Sequence, residues 1–114
     1  MDATTIEAGD VRREESYEGE IMCPWESRLV REAIDGICQV FDRHKGGVFD
    51  AVALREVDRH ASAVRIYTTD AFCRERFTYI QEQAALYFSS GKHEGVRPRI
   101  EKALGALRAR VRAA

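Results

Sequence analysis

The chain has 114 residues, enough for one domain with a single core and too few for two. Hydrophobic residues make up 45% and charged residues 32%, with two prolines, a balance that excludes a chain disordered throughout. The formal net charge of -1 selects no partner, but residues 1 to 20 carry seven acids against Arg12 and Arg13, and residues 92 to 114 carry seven Lys or Arg against Glu94 and Glu101. The two ends therefore differ in sign, about -5 and +5, which suits head-to-tail self-association or a basic tail for an acidic partner. No run of roughly 18 apolar residues occurs, and the acidic start lacks the basic-then-apolar order of a signal peptide. A cytoplasmic protein with no membrane segment is the expectation. Cys23, Cys38 and Cys73 match no disulfide or zinc spacing, in keeping with a reducing compartment.

Residues 1 to 21 are polar and without a period, and are expected to form a mobile acidic arm that orders on a partner or folds back on the basic end. Residues 22 to 114 then form one helical domain. A first helix is predicted near 24 to 43, starting at Pro24, whose missing amide has no intrahelical partner to lose. Trp25, Leu29, Val30, Ala33, Ile34, Ile37, Val40 and Phe41 share its apolar face. Gly46-Gly47 ends it. A second helix near 49 to 63 turns Phe49, Ala53, Leu54, Val57, Ala61 and Val64 inward, and the β-branched run Val64 to Thr68 reads as a short extended link.

The third helix, near 69 to 89, is the element around which the others are expected to pack. Thr69 or Asp70 caps its start and Gly91 is placed to stop it in a left-handed conformation. Cys73, Phe77, Ile80, Ala84, Tyr87 and Phe88 form one broad apolar arc, and Phe72, Tyr79 and Leu86 a second stripe spaced by seven. Two stripes require two neighbours, or else one neighbour and a partner surface. Arg76 and Gln83 lie between the stripes, so Arg76, Tyr79, Gln83 and Leu86 are the candidate partner surface. The last helix, near 96 to 112, has a narrow seam of Val96, Ile100, Ala103, Leu104, Leu107 and Val111, flanked by basic residues. Arg97, Arg99, Lys102, Arg108, Arg110 and Arg112 are accordingly the candidate phosphate contacts.

Two resemblances qualify this picture. Arg55 and His60 stand in the Arg-x4-His spacing that resembles the HEPN ribonucleases, which are small and all-helical. The resemblance implies that His60 handles the 2′-hydroxyl proton and Arg55 the phosphate, although Glu56 departs from the usual pattern. Ile80, Ala84, Tyr87, Gly91, Val96, Ile100 and Ala103 resemble the packing positions of one tetratricopeptide repeat, which implies an antiparallel helical hairpin. Cys23, at a helix start, meets free amides that favour thiolate, but no base or resolving cysteine is near it in sequence. No close His or Cys pairing of the zinc kind occurs, and no cofactor is expected.

The fold class expected is therefore all-α, with four helices around one core. The function expected first is that of a non-enzymatic interaction or regulatory protein, a small helical adaptor that binds a protein partner or a second copy of itself. The alternatives are a nucleic-acid-binding regulator using the basic last helix and, more weakly, a HEPN-like ribonuclease.

Overall fold

The computed structural model describes residues 22 to 91 and 93 to 113; the acidic arm at 1 to 21 lies outside the described residues. Four helices follow one another, α1 (Pro24–Arg43), α2 (Ala51–Tyr67), α3 (Ala71–Tyr87) and α4 (Val96–Ala113), with no strand among the described residues. They form the all-α bundle expected from the 3.6-residue apolar period. Each packs antiparallel on the next, and α4 closes the ring on α1, where Arg97 reaches Asp42 and Arg108 reaches Asp35. The core is continuous: Val30, Ile34 and Ile37 meet Val57, Ala61, Val64, Phe77, Ile80, Ile100 and Leu107, all fully buried. Burying each Val, Ile, Leu or Phe among them contributes about 1.5 to 3 kcal/mol, and the four apolar faces have no other place to go.

Boundaries moved where local chemistry outweighs the period. α2 starts at Ala51 because the Asp50 carboxylate accepts the Ala53 amide at 2.9 Å, and it continues to Tyr67. The run Val64 to Thr68, expected as an extended link, is thus mostly helical, since Val64 fills the core on the same face as Val57 and Ala61. Phe49, expected to point inward, precedes the helix and is 68% exposed. Trp25 is half exposed as well, and Met22 covers that end of the core instead. At α3 the start is as expected, with Asp70 accepting the Cys73 amide at 3.0 Å. Its end is different: the left-handed glycines among the described residues are Gly47 and Gly95, not Gly91. Gly95 is the third residue of a turn closed by the Val96 amide on the His93 carbonyl, so it starts α4 rather than ending α3.

Two polar clusters fix the ends of the bundle. At one end α1 and α3 begin and α2 and α4 finish. There the Glu26 carboxylate accepts the Cys23 amide and the Thr68 hydroxyl, and Thr68 in turn accepts the Asp70 amide. Arg110 comes across from α4 and places Nη2 2.6 Å from Asp70 Oδ1, with both side chains almost fully buried. At the other end Phe41 stacks on Phe88 at 5.1 Å and meets the edge of Tyr87 at 5.2 Å. Arg97 ties this aromatic cluster down, donating to the Phe41 carbonyl and the Tyr87 hydroxyl and pairing with Asp42 and Glu101.

Candidate functional site

The six basic residues grouped on the last helix do not act as one strip. Arg97 is held by the aromatic end just described, and Arg108 lies 3.6 Å from Asp35 and donates to the Cys38 sulfur at 3.4 Å. Arg110 departs most from the expectation of a phosphate contact, because its guanidinium is buried on Asp70. The period carries the reason. Seven residues apart on a helix differ by about 20°, so Arg110 shares the inward direction of Ala103. Arg99, Lys102 and Arg112 remain exposed.

Arg99 and Lys102 converge with residues that the sequence assigned to a separate surface. Arg76, Tyr79, Arg99, Lys102, Ala103 and Ala106 line one groove of about 310 Å³ between α3 and α4. Its floor is apolar, made by the Tyr79 ring and the two alanines, and its rims are cationic. Arg76 is positioned within α3, its guanidinium carbon 4.8 Å above the centre of the Phe72 ring, which holds the charge over an apolar surface at little cost in desolvation. Gln83 accepts from Arg99 Nη1 at 3.1 Å and so fixes the far rim. Leu86, the fourth residue of the expected partner surface, is half exposed and does not line the groove. Among the described residues no carboxylate lies within ion-pair distance of Arg76, Arg99 or Lys102. Three cations sharing one cleft create a local positive potential.

A second depression of about 290 Å³ lies on the other side of Tyr79, between α2 and α3. There Glu75 and Glu82 share the lining with Arg65 and Arg74, so its charge is mixed. The α3–α4 groove is the one with a single sign.

The remaining chemical candidates are held apart or spent on structure. Arg55 and His60 lie on an unbroken α2, where five residues turn the helix through about 140°. Arg55 is exposed, whereas the His60 ring packs against Gly36 of α1. Burial, helped by the neighbouring Arg59 charge, lowers the His60 pKa below its ordinary 6.5, with Glu56 opposing. Cys73 is fully buried; burial, then the hydrogen bond and charge of Asp70, push its thiol far above the usual range and keep it protonated. Cys23 is exposed and Cys38 half-buried. Among the described residues no three His, Cys, Asp or Glu side chains are grouped to hold a metal ion, and no helix is long and apolar enough to cross a membrane.

The fold and the groove together define a four-helix antiparallel bundle with a cationic cleft between its last two helices. Comparison of the chain with protein families, curated proteins and solved structures returns no match.

Proposed function

We propose that this chain is a non-enzymatic interaction module whose α3–α4 groove takes an acidic segment of a protein partner. The observation that carries the reading is the convergence of Arg76, Arg99 and Lys102 around the Tyr79 ring, with no ion-pair partner among the described residues. Tyrosine and arginine are the residue types that protein interfaces enrich, because each offers a broad apolar body with a polar tip. A cleft between two helices with an alanine floor admits a peptide strand or a slim helix bearing carboxylates and a few apolar side chains. A duplex instead needs a row of free cations along one face, and on α4 Arg97, Arg108 and Arg110 are spent on Asp42, Asp35 and Asp70.

The test is fluorescence anisotropy with a labelled synthetic peptide of alternating Glu and Leu. Arg99→Glu combined with Lys102→Glu is expected to weaken binding about tenfold or more, since two partly exposed ion pairs are lost and made repulsive. Binding is also expected to weaken as salt rises and the screening length shortens. Equal affinity of the peptide for wild type and the doubly reversed variant defeats the reading. Tighter binding of duplex DNA than of the peptide, abolished by Arg112→Ala, replaces it with the nucleic-acid alternative.

A further inference from the structure

The cations of the α3–α4 groove stand at levels that the helix register fixes. Asp70 meets Arg110 and Gln83 meets Arg99 across the same antiparallel pair. Between those two contacts Tyr79 stands at the level of Lys102 and Ala103, and Arg76 about one turn further along, at the level of Ala106; all of them line the groove together with Arg99. At 1.5 Å per residue, Lys102 lies about 4.5 Å and Arg76 about 10 Å along the axis from Arg99.

Those levels discriminate between backbone conformations of an occupant. A strand presents same-face residues about 6.8 and 13.6 Å apart, and neither spacing meets them. A helix presents i+3 and i+7 on the face of residue i, at about 4.5 and 10.5 Å. The match has a simple origin, because levels set by helices are repeated by another helix laid alongside. Residue i+4 shares that face and comes down at the level of Tyr79 and Ala103. Ala103 and Ala106 carry one methyl group each, so on the α4 side a third helix can approach to roughly the 8 to 10 Å of ordinary helix packing. Charge complementarity then assigns the side chains: carboxylates against the three cations, and an apolar group against the Tyr79 ring and the methyls.

We propose that the α3–α4 groove takes its partner segment as a third, aligned α-helix, with carboxylates at i, i+3 and i+7 against Arg99, Lys102 and Arg76 and an apolar residue at i+4 on the Tyr79–Ala103 floor. A helix running the other way exchanges the roles of i+3 and i+4. The proposal rests on the reading of the groove as an acidic-segment site and adds the segment's conformation and spacing. A short segment of this kind is a marginal helix in water and completes its folding on the groove.

The experiment measures, on the full chain, the anisotropy of labelled peptides of equal composition. Two carry Glu at i and i+7 with Glu and Leu, in either order, at i+3 and i+4; the third alternates Glu and Leu. One of the first two is expected to bind about tenfold more tightly than the third, and proline at i+5 to remove that gain by breaking the helix. Moving the outer Glu from i+7 to i+6 turns it off the face and is expected to weaken binding to wild type. In Arg76→Ala, with helix content verified by circular dichroism, the two positions are expected to be equivalent, and a difference that persists there overturns the proposed register. Equal or tighter binding of the alternating peptide, still weakened by Arg99→Glu with Lys102→Glu, overturns the helical occupant and leaves the groove reading intact. Binding of no peptide, or binding that the reversed charges leave unaltered, removes the groove reading and the proposal together.

Discussion

A methyl group at position 36 would sit 2.4 Å from the His60 ring, which makes this α1 glycine a packing residue rather than a helix defect. Replacing an exposed helical glycine by alanine stabilises by about 1 kcal/mol. Here the order reverses: Gly36→Ala is expected to destabilise by about 1 to 3 kcal/mol through overpacking, and His60→Ala in the same chain to recover most of the loss. Urea titration of the two single variants and the double variant checks the coupling. His60 also gives a pH prediction. Its folded pKa is depressed below 6.5, so its contribution is complete above about pH 6.5 and is lost as pH falls through the lower folded value. The histidine proton shifts followed by NMR are expected to place the His60 midpoint below the ordinary value. Asp50 behaves with the same sign at lower pH, because the Ala53 amide and the His44 ring hold its carboxyl below 3.8. Asp50→Asn is expected to flatten the acid limb of the stability profile below that pH. The position of His60 on the second helix was legible in the sequence. The need for glycine opposite it was not, because that contact joins residues of different helices.

At the scale of the element, the helix starts were the most readable features, since a cap acts within a few residues. Pro24 and Asp70 both do what their type favours. Helix ends were less readable: Val64 to Thr68 has β-branched residues, yet burial of Val64 outweighs their weak preference for extended backbone. Glu26 illustrates how an element acquires a second task. Its carboxylate closes the α1 start on Cys23 and reaches the Thr68 hydroxyl beyond the end of α2. Glu26→Ala is expected to cost about 1 to 2 kcal/mol, and Glu26→Gln less, measured by thermal unfolding. Asp70 carries the larger burden, capping α3 and neutralising Arg110 at once. Asp70→Ala is expected to cost about 3 to 5 kcal/mol because it removes the α3 cap together with the carboxylate partner of a buried guanidinium.

For the whole molecule, the fold divides the basic residues into two populations. Arg97 and Arg110 hold helices together, while Arg99 and Lys102 face the groove. Charge reversal at Arg99 and Lys102 is therefore expected to change unfolding stability by no more than about 0.5 kcal/mol per site while abolishing most acidic-peptide binding. Arg97→Ala is expected to do the opposite, lowering the urea midpoint and leaving peptide binding nearly unchanged. Measuring both properties on the same two variants separates a binding surface from a structural one.

Amino-acid order alone determined that the chain makes four amphipathic helices, where most of them start, and that its two ends carry opposite charge. Those properties depend on neighbours within a turn or two, or on composition. Which charges are free was decided only by the tertiary structure. Arg110 and Asp70 are 40 positions apart, Arg97 and Asp42 55 apart, and each pair meets because antiparallel packing sets one helix end beside another. The same packing joined Arg76 and Tyr79 of α3 to Arg99 and Lys102 of α4. A helical period gives the direction of each side chain from its own axis; only the neighbouring helix decides whether that direction holds a carboxylate, a core or an open groove.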